Sequence, residues 1–207
     1  HELVVANDRG AAVTAAARGA AQIVKNAHHR NPVQGVLALG GSAGTTIGTA
    51  AMRVLPVGIP KLMVSTLASG QVRPYVADKD ILMLNSVVDL AGINRISRRV
   101  LTNAAAAMAG MVQQQPSFTT RDRPLVAATM FGVTTPCVER ARAVLEDAGY
   151  EVLVFHATGN GGQAMESLIE EGLLLGVLDL TTTELADELV GGVLSAGPNR
   201  LTAAARH

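Results

Sequence analysis

The sequence predicts an α/β protein with two doubly wound, Rossmann-like parallel sheets, each in a three-layer αβα arrangement. Short apolar runs, typical of strands buried on both faces, alternate along the chain with amphipathic stretches of about ten residues or more, which indicates βαβ units. Hydrophobic residues make up 48% of the chain but aromatic residues only 2%, so small aliphatic side chains must fill the core. Such side chains let helices approach a sheet closely, as layered α/β proteins require.

The first half of the chain contains three predicted strands. A helix is predicted from Asp8, a suitable N-cap, to residue 27, because apolar residues recur there at helical spacing. Further along, strands are predicted over 36–39, 62–64 and 81–84, and helices over 45–54 and 93–111. Right-handed crossovers would place these helices on both faces of the sheet.

A polar, proline-containing segment over 113–120 has neither apolar period and predicts a domain boundary. The two predicted domains are residues 1–116 and 117–207. In the second, strands are predicted over 125–131, 152–156 and 175–180. Thr135 followed by Pro136 indicates a helix start, and Gly149 its end. Further helices should end near residues 171 and 190, and a last one should begin near Pro198.

Residues rich in glycine and hydroxyl groups follow every predicted strand. In a parallel sheet these positions share one edge, where ligands bind. In the first half they are Gly40, Gly41, Ser42, Gly44, Thr45 and Thr46, then Thr66, Ser69 and Gly70, then Asn85, Ser86 and Asp89. In the second half they are Gly132, Thr134 and Thr135, then His156, Thr158, Gly159, Gly161 and Gly162, then Asp179, Thr181 and Thr182. This pattern suits phosphate or hydroxyl recognition, although the same residues are common as turns and helix caps.

The stretch from Val36 to Gly48 is the leading candidate for a phosphate site. It reads as a buried strand, a glycine-rich turn over 40–46 and the first turn of a helix. Such a junction offers backbone N–H groups and the positive end of a helix dipole to an anion. The turn lacks the lysine of a P-loop and the spacing of the dinucleotide fingerprint. Arg73 is a candidate for neutralising a phosphate.

Three residues of the second half are candidates for catalysis. His156 ends a strand beside a glycine-rich turn, where a general acid–base would suit, with a structural histidine as the alternative. Asp179 and Glu184 are candidates for holding Mg²⁺ or acting as a base, although an acid in the first turn of a helix favours the dipole anyway. No His or Cys spacing indicates a dedicated metal site.

Composition restricts the partners and the compartment. The formal net charge is zero, which gives no electrostatic basis for binding nucleic acid or a membrane surface. No apolar run reaches the ~18 residues that a membrane helix needs. A single cysteine, Cys137, agrees with a reducing, cytoplasmic location. We expect a homodimer, because short sheets leave apolar edges to cover.

Several long sequence words resemble an ATP-binding domain family named after the tomato mosaic virus resistance protein, whose bacterial members are largely uncharacterised. The words include Gly-Gly-Ser-x-Gly-Thr (40–45), Pro-Lys-Leu-Met-Val-Ser-Thr (60–66), Ala-Thr-Met-Phe-Gly-Val-Thr-Thr-Pro-Cys (128–137) and Asp-Leu-Thr-Thr-Thr-Glu-Leu-Ala-Asp (179–187). The resemblance covers nearly the whole chain and implies ATP binding, two doubly wound domains and a longer protein. Ala43 departs from the pattern, where a second glycine is expected.

Three functions remain as hypotheses. The first is a nucleotide-binding protein, with ATP on the turn over 40–46 and a regulatory or assembly role. The second is an enzyme that acts on a small molecule in a cleft between the domains, using His156 and the loop over 179–187. The third is a sensor of a phosphorylated metabolite.

Overall fold

The chain divides into two compact units, His1–Pro116 (unit 1) and Ser117–His207 (unit 2). The structure is a computed structural model that describes residues 8–114 and 122–207. Each unit contains a three-stranded parallel sheet, which confirms the predicted α/β fold class. Most of the polar segment over 113–120, predicted as a linker, lies outside the described residues.

Unit 1 has the strand order β1-β2-β3. Its elements are α1 (Arg9–Arg30), β1 (Val36–Gly40), α2 (Ser42–Arg53), β2 (Lys61–Ser65), α3 (Arg73–Val76), β3 (Leu82–Asn85) and α4 (Arg95–Gln113). The parallel register puts Gly40, Ser65 and Asn85 level with one another at the carboxyl edge. The Asp8 carboxylate caps α1 as predicted, accepting hydrogen bonds from two backbone N–H groups of its first turn.

Helices cover both faces of the first sheet. Leu62 and Val64 of the central strand pack with Ala104 of α4. Met63, between them, lies beside α2 at Gly48. Because neighbouring residues of a strand point to opposite faces, α2 and α4 lie on opposite sides of the sheet. Unit 1 is therefore doubly wound.

Unit 2 has the strand order β5-β4-β6. Its elements are β4 (Leu125–Met130), α5 (Thr135–Asp147), β5 (Glu151–His156), α6 (Asn160–Glu170), β6 (Gly176–Leu178) and α7 (Thr183–Val190), with single 3₁₀ turns at Gly132–Thr134 and Ala203–Ala205. Ala127 of the central strand packs with Met165 of α6, and its neighbour Ala128 packs with Val138 of α5. Helices again lie on both faces.

Some element boundaries differ from the prediction. The prediction of a last helix beginning near Pro198 is wrong, since the segment forms turns and a 3₁₀ helix. The N–H groups of Leu201 and Ala203 donate to the Glu166 carboxylate and so are not available for α-helical hydrogen bonds. α5 begins one residue early, with Thr134 at the N-cap position and its hydroxyl bonded to the N–H of Phe131. α2 begins at Ser42, so the glycine-rich turn is itself the first helical turn.

No helix within residues 8–114 and 122–207 has the length and apolarity that a bilayer-crossing segment requires.

Glycine at position 48 sets how closely α2 approaches its sheet. An added Cβ there would lie 2.7 Å from the Cβ of Ala38 and 3.0 Å from the Sδ of Met63, whereas at Gly19 in α1 it would meet nothing within 4 Å. We expect Gly48→Ala to lower the free energy of unfolding by about 1–3 kcal/mol through overpacking. Gly19→Ala should raise it by about 0.5–1 kcal/mol through helix propensity. Urea denaturation of both variants checks this, and equal effects would contradict the close packing.

Candidate functional site

A cavity of about 390 Å³ lies at the start of α2, and we call it the α2 cavity. It is lined by Arg9, Gly41, Ser42, Ala43, Gly44, Thr66 and Asp89. Gly41 is the N-cap residue, and no side chain caps the helix. The first intrahelical bond runs from the Thr45 N–H to the Gly41 carbonyl, at 2.8 Å. The N–H groups of residues 42–44 precede this bond and have no partner within the helix.

The glycines of the turn over 40–46 serve two different purposes. An added Cβ on Gly40 would lie 2.6 Å from the Cα of Gly44, and one on Gly44 would lie 3.2 Å from the Leu39 carbonyl oxygen. These two glycines let the helix start close against the end of β1. At Gly41 the nearest atom would be the Thr66 hydroxyl oxygen at 3.6 Å, an ordinary contact distance. Gly41 therefore leaves space in the cavity.

The threonine hydroxyls of the same turn are engaged within the protein. Thr45 is fully buried; its hydroxyl donates to the Gly41 carbonyl at 2.7 Å and shares a 2.6 Å hydrogen bond with Ser65. The Thr46 hydroxyl donates to the Ser42 carbonyl at 3.0 Å. Both side chains fix the shape of the turn, and neither lines the α2 cavity.

Of the remaining residues predicted for the nucleotide, only Thr66 lines the α2 cavity. Ser69, Gly70 and Arg73 are exposed and are not part of its lining. The cationic residue of the cavity is instead Arg9, which the sequence analysis missed. The sequence shows that Arg9 directly follows the N-cap of α1. It does not show that α1 packs against α2, and this packing brings Arg9 to the cavity.

A second cavity of about 280 Å³ adjoins the first, since Thr66 and Asp89 line both. Its other walls come from residues 85–88 after β3. Val87 has φ +65°, in the left-handed region that β-branched residues rarely adopt. Hydrogen bonds from the Val87 N–H to the Asn85 side chain and from the Ser86 hydroxyl to the Val88 carbonyl hold this conformation. Such strained residues are found preferentially at ligand-binding sites.

At the corresponding edge of unit 2, the predicted threonines bind one another. The hydroxyls of Thr134 and Thr181 are 2.6 Å apart, and the Thr181 N–H donates to the Thr129 hydroxyl at 3.0 Å. The Thr129 hydroxyl in turn donates to Asp179 at 2.7 Å. Thr135 donates to a carbonyl of the preceding turn, and Thr182 is exposed at the N-cap of α7.

Arg200 joins three carboxylates in the interior of unit 2. Its guanidinium donates to both oxygens of Asp179, to Glu184 at 2.7 Å and to Glu166 at 3.3 Å. Burial alone would lower the pKa of Arg200, but the hydrogen bonds and charges of Asp179 and Glu184 raise it above its ordinary value. Arg200 was missed because it lies in a different segment from its partners. The two acids proposed as base or Mg²⁺ ligands are thus paired with an internal cation.

Glu184 also closes the glycine-rich loop of unit 2. Its Oε1 accepts hydrogen bonds from the N–H groups of Gly159 at 2.6 Å and Gly162 at 3.1 Å. An added Cβ on Gly162 would lie 2.2 Å from Glu184 Oε2, and one on Gly161 would lie 1.8 Å from the His156 carbonyl oxygen. These glycines therefore permit close approach to a carboxylate and a carbonyl of the same unit.

His156 and Thr158 lie beside the glycine-rich loop of unit 2. The His156 side chain is exposed at the end of β5, and its imidazole has no hydrogen bond to a residue that the structure describes. The Thr158 hydroxyl lies 3.5 Å from the His156 carbonyl oxygen. Within the described ranges, no cluster of three or more His, Cys, Asp or Glu residues is arranged to hold a metal ion.

Models of one protein family match both units of the chain. The family model described as "Uncharacterised protein family (UPF0261) N-terminal domain" matches residues 1–117. The model for the C-terminal domain of the same family matches residues 123–207. The chain belongs to the UPF0261 family.

Relatives come from bacteria and from a plant. A UPF0261 protein of Clostridium tetani is 57% identical over 203 residues, covering 98% of this chain and 50% of the relative. One from Mesorhizobium japonicum is 52% identical, covering 97% and 49%. The tomato ToMV resistance protein Tm-1(GCR237) is 46% identical, covering 96% of this chain and 27% of the tomato protein. The chain therefore spans about half the length of these bacterial relatives, and the predicted resemblance to the family of the tomato mosaic virus resistance protein is confirmed.

The Arg200 network should contribute strongly to the stability of unit 2. Arg200→Ala leaves the buried Glu184 and the partly buried Asp179 without their cation, so we expect a loss of about 3–5 kcal/mol in the free energy of unfolding. The control is Arg206→Ala, whose pair with Glu170 is half exposed and should contribute less than about 1 kcal/mol. Urea denaturation followed by circular dichroism measures both, and similar losses would refute the special role of Arg200.

Proposed function

We propose that unit 1 binds a nucleotide, ATP in the first instance, with its phosphates against the first turn of α2. One observation carries the proposal: a cavity of about 390 Å³ opens on a helix start whose N–H groups no side chain caps. Backbone N–H groups at the positive end of a helix dipole are a recurrent phosphate site. The sequence resemblance that includes the turn over 40–46 implies ATP binding and so supports the same ligand.

The charges around the cavity fit a phosphate that is accompanied by a cation. Arg9 supplies a positive charge on one side, while the Asp89 carboxylate lies on another. A carboxylate beside phosphates would repel them unless a metal ion lies between. Mg²⁺ is commonly held by one or two carboxylates together with substrate phosphates, so Asp89 and the Thr66 hydroxyl are its proposed protein ligands.

The adjoining cavity extends the proposed site beyond the phosphates. Thr66 and Asp89, the proposed ligands of the metal ion, lie at the junction of the two cavities, so the rest of the nucleotide would extend from there into the second cavity. Val87 is 69% exposed and offers an apolar contact to a flat base. An anion-binding end at α2 and an apolar end at Val87 match the positions of the phosphates and the base in a nucleoside phosphate.

The other two hypotheses have less support. An enzyme that uses Asp179 or Glu184 would first have to release them from Arg200. A sensor of a phosphorylated metabolite would use the same α2 cavity, and titration with sugar phosphates distinguishes it from a nucleotide site. A regulatory role, homodimer formation and a cytoplasmic location stay predictions.

Gly41→Asp separates binding from folding. The new carboxylate would cap the N–H groups of α2, so we expect stability to remain equal or rise by a few tenths of a kcal/mol. Because the same carboxylate would occupy the phosphate position, ATP affinity should fall by about 100-fold or more. Isothermal titration calorimetry with ATP, ADP and sugar phosphates measures this. Gly41→Asn is the control for charge and should lose less affinity. Unchanged ATP binding by Gly41→Asp would refute the site.

A pair of arginine variants tests which cation faces the phosphates. Arg9 lines the α2 cavity and Arg73 does not. We expect Arg9→Met to weaken ATP binding by about 10-fold, the size of one partly exposed charged contact. Arg73→Met should bind as the unchanged protein does. The reverse order of affinities, measured by the same calorimetry, would favour the assignment made from the sequence.

A further inference from the structure

The first turn of α6 in unit 2 has the hydrogen-bond donors of an anion site, and the anion bound there is the Glu184 carboxylate of the same chain. The N–H groups of Gly159 and Gly162 point at one carboxylate oxygen of Glu184, at 2.6 and 3.1 Å. The Nε of Arg200 donates to the other oxygen at 2.7 Å. Both side chains of this ion pair are fully buried. Two backbone donors and a buried guanidinium thus converge on a single carboxylate.

The loop sequence fits the carboxylate at each donor position. Gly159 has φ +89°, a conformation that glycine adopts without strain. At Gly162 a side chain would collide with the Glu184 carboxylate itself, since its Cβ would lie 2.2 Å from Oε2. The residue types of the loop are therefore those that admit a carboxylate against the backbone.

The same carboxylate anchors α7, the helix that carries it. Glu184 is the one buried residue of α7, whereas Leu189 and Val190 are 86% and 79% exposed. A helix normally attaches through an apolar face. Here the apolar side chains face outward, and the buried attachment is an ion.

We propose that the α6 turn and Arg200 form a carboxylate-binding site that Glu184 fills as an internal ligand, and that this occupancy is the latch that holds α7. All the groups involved belong to unit 2, so the proposal is independent of the nucleotide site in unit 1. When the latch is empty, α7 loses its buried anchor and the site becomes open to a free carboxylate of matching size.

Acetate is the matching probe, because Glu184→Ala removes the side chain from Cγ outward and acetate has the size and charge of the missing group. Thermal unfolding of Glu184→Ala in chloride should show a melting temperature lower by about 10 °C or more. Sodium acetate at the same ionic strength should raise it by about 5 °C. Hydrogen exchange of the amides over 183–190 should be faster in the variant and slow again in acetate.

Two further variants serve as controls. Glu184→Gln keeps the volume filled, so acetate should not stabilise it. Glu139→Ala removes an exposed carboxylate on α5 and should show neither the loss nor the rescue. Equal acetate effects on all three variants, or no effect on Glu184→Ala, would overturn the proposal. If Glu184→Ala is unfolded in chloride, recovery of helical circular dichroism in acetate supports the latch, and failure to recover counts against it.

Discussion

The N–H groups in the first turn of a helix have no partner within that helix, and each unit meets this constraint at the carboxyl edge of its sheet. In unit 2, Glu184 accepts from the N–H groups of Gly159 and Gly162. In unit 1, no side chain caps α2, and the corresponding N–H groups border a cavity. The two glycine-rich loops therefore look alike in sequence but differ in what satisfies them. This difference makes unit 1, and not unit 2, the better candidate for binding an external anion.

The filled edge of unit 2 depends on balanced burial of charge. Each acid around Arg200 has partners besides the guanidinium: Asp179 accepts from Thr129, Glu184 from two backbone N–H groups, and Glu166 from two more. Such compensation is needed because a buried carboxylate without hydrogen bonds is very costly. The raised pKa of Arg200 means that the stabilising effect is fully present below the ordinary arginine pKa and is lost only as pH rises beyond it. Arg200 therefore stays charged throughout the pH range in which most proteins are folded.

The sequence was sufficient for the fold class and for most elements, because strand and helix periods are local properties. It also predicted the strand–turn–helix junction over 36–48, where glycine spacing carries information about close approach, although α2 begins at Ser42 and not at the predicted residue 45. It could not show that Thr45 bonds to Ser65 or that Glu184 bonds to Gly162, since these partners meet only when the strands are ordered in the sheet. Arg9 and Arg200 were also missed, because their neighbours in the fold are distant in sequence and a single arginine produces no periodic pattern. The helix predicted near Pro198 does not form, because the Glu166 carboxylate accepts hydrogen bonds from backbone N–H groups of that segment and holds it in a non-helical conformation.

Topology allows a closer comparison of the two edges. In both units a glycine-rich loop follows one edge strand, β1 or β5, and an acid follows the opposite edge strand, β3 or β6. In unit 2 Asp179 comes directly after β6, but the acid whose side chain reaches the start of α6 is Glu184 of α7, and Arg200 meets its carboxylate. In unit 1 the acid is Asp89 in the loop after β3, and its side chain accepts from its neighbour, the Leu90 N–H, at 2.8 Å. A space remains between Asp89 and the first turn of α2, and both border it. The edge of unit 2 is thus closed by its own carboxylate and an arginine, whereas at the edge of unit 1 a cavity lies between Asp89 and the start of α2, and this cavity is where we propose that a phosphate and its metal ion bind.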